Sequence, residues 1–243
     1  MIKPGDHLPG ILLEAINAAN QQMQDGDVLV LAQKIVSKSE GRLVNLNWVT
    51  PSAKALEIAA VAEKDARFVE LVLRESSEVL RVRAGTLIVQ HKAGFVCANA
   101  GIDHSNVAGP EGPGDEWVLL LPENADQSAE QIRNELMAQT GVTMGVLIID
   151  SHGRAWRLGT VGTAIGLAGF QGLVDLRGTE DIYGYKLRVT QVAAADELAG
   201  GASLIMGQAA ERIPAVLVRG YPYPLAPGSV QDLIRPKSMD LFR

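Results

Sequence analysis

The sequence predicts an α+β fold with mixed, mainly antiparallel sheets and helices packed against them, and three observations lead to that class. Continuous apolar runs such as Val28–Ala32 and residues 145–150 are typical of buried strands. Segments with apolar side chains at helical spacing fall between these runs. Strands and helices do not alternate in the regular βαβ rhythm that a doubly wound parallel sheet requires.

In the N-terminal half, apolar side chains at helical spacing predict a helix over residues 8–24. The buried strand Val28–Ala32 follows, and QKIVSK and GRLV continue as extended segments. Thr50 and Pro51 are typical of a helix start, so a helix is expected to about Lys64, and Asp65 caps the next one through FVELVLRES. Further strands are expected at 79–83, 86–90 and 95–98.

In the C-terminal half, a helix follows Asp126 and stops at Gly141, a residue that readily takes the left-handed conformation of a helix end. Ten of the 25 glycines fall between residues 141 and 184, so a tightly turning backbone is expected after the strand at 145–150. An alanine-rich helix over 191–210 and a strand over 213–218 come next. The tail from Tyr221 carries four prolines and is expected on the surface or against a partner subunit.

Composition excludes several classes of protein. With 243 residues, 47% of them hydrophobic, the chain can bury a large core, and its net charge of -6 argues against non-specific nucleic-acid binding. Cys97 is the single cysteine, so an internal disulfide is impossible. No apolar run has the length of a signal peptide or a membrane span, so we expect a cytoplasmic protein without membrane contact.

The common nucleotide motifs are missing. The chain has neither a GxxxxGK[ST] phosphate loop nor a GxGxxG after a strand, and the glycine-rich GTVGTAIG matches neither spacing. Three local clusters carry chemistry instead. The first is QKIVSK directly after a buried strand, where Lys34 and Lys38 can neutralise phosphate oxygens, although spacing alone favours solvated lysines at a strand end.

The second cluster is CANAGIDHSN. Asp103 and Asn106 lie three apart on an expected loop, and their oxygens suit magnesium or manganese, although an Asx-turn accounts for the same residues. We interpret His104 as an exposed loop residue and Cys97 as a buried small hydrophobe.

The third cluster is IIDSHGRAWRLGT. Asp150 ends a buried strand, where a carboxylate can hold a metal, and Ser151 adds a hydroxyl. Arg154 and Arg157 can bind a carboxylate or phosphate through two hydrogen bonds each. Trp156 can stack on a ring, although packing beside a core strand is the usual role of an indole there.

Two further segments stay open between structure and function. DLRGTEDIYG offers Asp175, Arg177 and Asp181, which a salt-bridged turn explains nearly as well as a site. Asp196 and Glu197 lie on the alanine-rich helix, whose small residues are typical of close helix packing.

Taken together, the segments resemble one family, the coenzyme F-420-0:L-glutamate ligases. The resemblance rests on GDVLVLAQKIVSKSEGR, GFVCANAGIDHSNV, VLIIDSHGRAWRLGTVGTAIGLAGFQGLVDLRG and VTQVAAADELAGGASLIMGQA, which come in family order. It implies one gamma-glutamyl ligase domain over residues 1–243, without a fused flavin reductase-like domain. That domain has two intertwined lobes and is usually a homodimer. It also implies an amide ligase that uses GTP, L-glutamate and a deazaflavin coenzyme precursor, with a divalent metal (Mn or Mg) and a monovalent cation such as potassium as cofactors.

The resemblance also assigns residues. By motif match the metal ligands are Asp103, Asp150 and Ser151, the last of which stands where the family more often has threonine. The positions expected around GTP are Gln33, Lys34, Lys38, Asn106, Met206, Gly207 and Gln208. Asp150 is also expected to be catalytic, together with Arg154 and Arg157, which are candidates from the residues alone.

One departure keeps other functions open. The chain starts at MIKPGD, without the short strand and G-[IL]-P segment that usually precede this motif in the family, so base preference is open. The alternatives are a ligase of the same mechanism that uses a different acid acceptor, because folds and their metal sites are reused across substrates, and a non-catalytic nucleotide-binding protein.

Overall fold

The computed structural model describes residues 1–110, 112 and 114–240. Within them, the helices are Leu8–Ala18 (α1), Gln33–Ser39 (α2), Ala53–Ala62 (α3), Ala66–Arg74 (α4), Ala125–Thr140 (α5) and Ala194–Met206 (α6). The strands are Val28–Ala32 (β1), Leu43–Asn45 (β2), Ser76–Arg83 (β3), Thr86–His91 (β4), Val96–Ala98 (β5), Trp117–Leu119 (β6), Gly145–Gly153 (β7), Thr160–Ala168 (β8), Val174–Asp175 (β9), Gln191–Val192 (β10) and Ala215–Val218 (β11).

A four-stranded sheet in the order β11-β1-β7-β8 lies between two hydrophobic clusters, one on each of its faces. β1 pairs with β7 in parallel, and the other neighbours in the sheet are antiparallel. The remaining sheets, β3-β4-β5, β2-β6 and β9-β10, are antiparallel. The α+β class with mainly antiparallel pairing is therefore confirmed.

Alternation along β1 and β7 separates the two faces of the central sheet. Leu29, Leu31, Val146 and Ile148 point to one face, where they pack with α1 and α5. Residues of opposite parity, such as Leu147 and Ile149, point to the other face and pack with α6. By the same alternation Asp150 belongs to the α5 face and Ser151 to the α6 face.

A separate hydrophobic core lies among α3, α4 and the sheet β3-β4-β5. Its helices begin at local caps: the Ser52 hydroxyl accepts from Ala55 N at 3.2 Å, and the Asp65 carboxylate accepts from Arg67 N at 2.8 Å. The predicted cap at Asp65 is confirmed. The predicted start at Thr50 is wrong by two residues, because Ser52 supplies the oxygen and α3 begins at Ala53.

Several predicted boundaries differ from the structure for local reasons. α1 ends at Ala18 rather than 24, since the chain turns at Asn20 with φ 54°. α6 is shorter than 191–210, because Gly207 takes φ 70° and ends it. The predicted end of α5 at Gly141, with φ 73°, is confirmed.

The glycine-rich stretch was expected to turn tightly, yet it contains the nine-residue strand β8. Its glycines allow helices to approach: a Cβ on Gly162 would lie 2.3 Å from Ala199 O of α6, and one on Gly166 would lie 2.3 Å from the carbonyl carbon of Ala125 in α5. These glycines therefore serve close packing, and the prediction of turns is wrong for residues 160–168.

Candidate functional site

The candidate site lies where β1 and β7 end side by side. In their parallel register Ala32 lies opposite Ile149, so the next residues, Gln33 and Asp150, are level at one edge of the sheet. Carboxyl ends of parallel strands are where open sheets with parallel pairs commonly bind ligands. Functional side chains from three distant segments converge at this edge.

α2 supplies the first group of side chains. QKIVSK is a helix and not the extended segment that the sequence suggested. Residues four apart share a face of this helix, so Ser37 Oγ donates to Gln33 Oε1 at 2.9 Å, and Lys34 and Lys38 lie together on the neighbouring face. Gln33 and Ser37 are fully buried, whereas the two lysines are half-buried. The helical period thus places the Gln33 amide on the buried face of α2 and the ammonium groups of Lys34 and Lys38 on a half-buried face.

A left-handed turn places Asp103. Asn99, Ala100 and Gly101 have φ 51°, 54° and 68° in succession, a conformation that costs L-residues about 1–2 kcal/mol each, glycine excepted. Ala100 is fully buried and the Asn99 side chain accepts from Leu87 N at 3.2 Å, so the surroundings hold the turn in place. Asp103 then exchanges two backbone hydrogen bonds with Leu119, at 3.0 and 2.9 Å. These bonds fix the backbone of Asp103 and so set the position from which its carboxylate extends.

The Asp103 carboxylate meets α2 directly. Gln33 Nε2 donates to Asp103 Oδ2 at 2.7 Å, and Lys34 Nζ lies 3.2 Å from the same oxygen. Burial raises the pKa of Asp103 to about 6, Lys34 opposes this rise, and the nearby charge of Asp150 adds to it. The negative charge of Asp150 therefore acts against the charged form of Asp103, and Lys34 favours it.

Ser151 connects the site to α6 on the other face of β7. Ser151 Oγ donates to Gln208 Oε1 at 2.8 Å, and Gln208 Nε2 donates to Ser203 Oγ on α6 at 3.0 Å. Gly162 is the cross-strand partner of Ser151, and its missing Cβ lets α6 come this close. The structure thus joins Ser151, predicted for metal, to Gln208, predicted for nucleotide.

The loop after Asp103 ties α2 to the segment that follows α6. Lys34 Nζ donates to the carbonyl and hydroxyl oxygens of Ser105, both at 3.1 Å, and Lys38 Nζ donates to Asn106 O at 2.7 Å. Asn106 Nδ2 in turn donates to Ala209 O at 3.1 Å. Burial and the charge of Lys34 lower the pKa of Lys38. These ammonium groups bind mainly neutral oxygens, so anionic oxygens can replace those acceptors with a gain in charge pairing.

Comparisons with known proteins decide the family. Residues 1–220 match the family model for F420-0:Gamma-glutamyl ligase. The chain is 44% identical over 245 residues to the coenzyme F420:L-glutamate ligase of Methanothermobacter thermautotrophicus, covering 100% of this chain and 95% of that protein. It is 43% identical over 225 residues to the protein of that name from Methanocaldococcus jannaschii, covering 93% and 88%. For the one from Archaeoglobus fulgidus the identity is 42% over 244 residues, covering 100% and 92%.

The chain belongs to the F420-0:gamma-glutamyl ligase family. It is therefore a ligase, and the family resemblance of its sequence segments is confirmed. Along the described part of the chain, no helix is long and apolar enough to cross a membrane.

The donor set of this ligase site suits a hard cation only with help from a ligand. Across residues 1–110, 112 and 114–240, no three His, Cys, Asp or Glu side chains gather closely enough to hold a metal ion. Asp103 and Asp150 provide two carboxylates, and Ser151 and Gln208 provide neutral oxygens on the other face of β7, all of the type that magnesium and manganese accept. The remaining positions would be filled by water or by oxygens of a bound ligand.

Other predicted residues lie apart from this cluster. Arg154 and Arg157 are exposed at the β7–β8 hairpin tip, where Arg154 Nη1 donates to Gly159 O at 3.2 Å. Trp156 is 88% exposed with φ 63°, so the interpretation as core packing is wrong. Met206 is buried in the α6 core, and Gly207 ends the helix.

Two sets of acids have structural explanations. Arg177 forms an ion pair with Asp175, and Asp181 Oδ1 accepts from the backbone of Tyr183 at 2.8 Å, as the salt-bridged turn predicts. Asp196 Oδ1 accepts from Ala164 N at 2.9 Å, next to the irregularity in the β7–β8 register. Cys97 is buried and burial raises the pKa of its thiol to about 12, which confirms its interpretation as an unreactive hydrophobe.

Sequence reasoning missed His152. Its side chain is buried, and its Nε2 lies 3.1 Å from Asp150 Oδ2. The signal was available, since residues two apart on a strand share a face and Asp150 was already a candidate.

Proposed function

We propose that this ligase forms an amide between coenzyme F420-0 and L-glutamate, with GTP and a divalent cation, manganese or magnesium. The observation that supports it most is the convergence of Asp103, Asp150, Ser151 and the two lysines of α2 at one sheet edge. These are the positions that the family motifs assign to metal and nucleotide.

The reaction runs in two steps. A carboxylate oxygen of the acceptor attacks the γ-phosphorus of GTP, and the bond from that phosphorus to the β–γ bridging oxygen breaks, so GDP leaves with the electron pair. The uncharged amine of glutamate then attacks the carbonyl carbon of the acyl phosphate. Inorganic phosphate leaves, the nitrogen loses a proton to solvent, and the amide remains. A bound cation neutralises charge that develops on phosphate oxygens during the first step.

Individual side chains have separate tasks in this scheme. Asp103, held by Gln33 and Lys34, and Asp150 would hold the cation, and Ser151 would offer its hydroxyl from the other face of β7. Lys34 and Lys38 exchange their neutral oxygen partners for phosphate oxygens. Asn106 and Gln208 keep the loops on either side in position. Arg154 and Arg157, with no acid paired to them among the described residues, remain candidates for an anionic group of the acceptor.

The test is release of GDP by purified protein with manganese or magnesium, GTP and L-glutamate, with and without F420-0, followed by mass analysis of the product. We expect release that requires both substrates and a product one or more glutamyl units heavier. Asp150→Asn should abolish turnover with the fold intact, whereas Glu57→Gln, an exposed acid on α3, should not change it. Tight GTP–metal binding without turnover would point to another acceptor or to a binding role.

We also propose a homodimer, on the basis of exposed apolar surface. Tyr183 and Val189 on the β9–β10 arm are 88% and 85% exposed, and Leu204 on α6 is 87% exposed. Apolar side chains in such number usually mark a protein interface. Sedimentation at micromolar concentration should give twice the chain mass, and Leu204→Glu should shift it toward the monomer. A monomeric wild type would overturn the assembly but not the ligase reaction.

A further inference from the structure

Behind the candidate metal carboxylates lies a buried stack of three rings. Phe95 is parallel to His91, with ring centroids 4.9 Å apart and an interplanar angle of 3°. The His152 ring also packs against Phe95, with ring centroids 5.4 Å apart and an interplanar angle of 44°. Both histidines are more than nine-tenths buried, on the α5 side of β7, the face to which Asp150 belongs. The stack therefore forms the inner wall of the Asp150 carboxylate.

Each histidine has a buried nitrogen without a hydrogen-bond partner. His91 Nδ1 accepts from Ala93 N at 3.0 Å, and burial lowers the pKa of His91 to about 4, so that ring is neutral with its hydrogen on Nε2. Neither His91 Nε2 nor His152 Nε2 has an aligned partner. A buried donor that makes no hydrogen bond costs about 1–3 kcal/mol, and a phenylalanine at either position would avoid that cost.

The two orphan nitrogens differ in what lies near them. His152 Nε2 is 3.1 Å from Asp150 Oδ2, within hydrogen-bonding distance but off its direction. Among the described residues, no other side chain forms a hydrogen bond or an ion pair with the Asp150 carboxylate, whereas Asp103 has both Gln33 and Lys34. His91 Nε2, by contrast, has neither a hydrogen bond nor an ion pair in the described part of the chain.

We propose that His152 is the positioning residue of Asp150: its imidazole donates Nε2–H to Asp150 Oδ2, fixes the rotation of the carboxylate and leaves Oδ1 for the cation. This inference rests on the metal site of the proposed function. Carboxylates that bind metals are commonly held by such a second hydrogen bond, and its removal typically weakens metal affinity about tenfold to a hundredfold. The cost of the buried imidazole is then compensated when the cation is bound.

The test measures Mn²⁺ affinity directly, by electron paramagnetic resonance of free Mn²⁺ in the presence of GDP, without turnover. His152→Gln keeps an amide donor near the position of Nε2, and His152→Asn is too short to reach it. His152→Phe keeps the ring and removes the donor. We expect the dissociation constant to rise at least about tenfold in the Asn and Phe variants and to stay within about threefold of wild type in the Gln variant. His91→Asn, which retains an acceptor for Ala93 N, should leave it unchanged.

A purely structural role predicts a different pattern. In that case the Asn and Phe variants would lose thermal stability and bind Mn²⁺ as wild type does, which would overturn the inference. If His152→Phe does not fold, His152→Asn against His152→Gln decides alone. A wild type that binds no Mn²⁺ would refute the metal site itself, and with it this role.

Discussion

Asp103→Asn should make the metal-free protein more stable at neutral pH. Burial raises the pKa of Asp103 from 3.8 to about 6, so the folded state holds this acid in its charged form at a cost. One pKa unit corresponds to 1.36 kcal/mol, and the difference of 2.2 therefore corresponds to about 3 kcal/mol at pH 7. The Asp103 side chain is 25% exposed, and solvent screens its charge there, so this free-energy cost is an upper limit.

The pH dependence follows from the direction of the shift. Between pH 3.8 and about 6 the folded state binds more protons at Asp103 than the unfolded state does, so stability falls as pH rises through this window. The cost is fully present above the window and absent well below it. With these two pKa values it is about 3 kcal/mol at pH 7 and about 1 kcal/mol at pH 4.5. Asparagine has no such cost, and its carbonyl oxygen can still accept from Gln33 and Lys34.

Urea unfolding with a metal chelator at pH 7 and pH 4.5 checks this. We expect Asp103→Asn to raise the free energy of unfolding at pH 7 by up to about 3 kcal/mol, and the gain to shrink by about two thirds at pH 4.5. Glu57→Gln, on the exposed face of α3, is the matched control and should change neither value. An Asn variant that is less stable than wild type at pH 7, or a gain that does not depend on pH, would refute the argument that burial dominates at Asp103.

Further predictions concern β7 and β8. Gly162→Ala should destabilise the fold by about 1–3 kcal/mol or more and lower activity, because its Cβ would lie 2.3 Å from Ala199 O and push α6 away. Gly153→Ala is the control: open space surrounds this glycine, so the variant should be as stable as wild type in the same urea titration. Ser151→Thr should keep turnover, since the hydroxyl remains, and Ser151→Ala should lower it at least about tenfold with a higher metal requirement. Equal activity of the Ala and Thr variants would remove the hydroxyl from the site.

Elements with local signals were predictable from the sequence. α4 has its cap at Asp65, α5 has its stop at Gly141, and β1 is a five-residue apolar run bounded by Gly26 and Asp27. Each of these signals acts within a few residues, so a single sequence is enough to read it. Asp150 was identified because it ends a buried strand, and Asp103 because it lies three residues from Asn106 on an expected loop.

The elements that were missed depend on distant contacts. α2 has only seven residues, and its apolar pair Ile35 and Val36 is β-branched, so local preference does not favour a helix. Its stability comes from the core and from the Gln33–Asp103 contact, which joins residues 70 apart. β8 was hidden for a similar reason: glycines required by an approaching helix look the same in sequence as glycines required by a turn.

The position of the site follows from the one parallel strand pair among the described residues. In an antiparallel sheet, neighbouring strands end at opposite edges, so loops that follow two adjacent strands do not meet. β1 and β7 are parallel, and the α2 side chains and Asp150 therefore emerge at the same edge. Because successive residues of β7 point to opposite faces, Asp150 belongs to the α5 side, where its charge acts on Asp103, and Ser151 contacts Gln208 on the α6 side. A ligand that contacts both residues must cross the end of β7, which explains why the predicted metal and nucleotide residues come from helices and loops on both sides of the sheet.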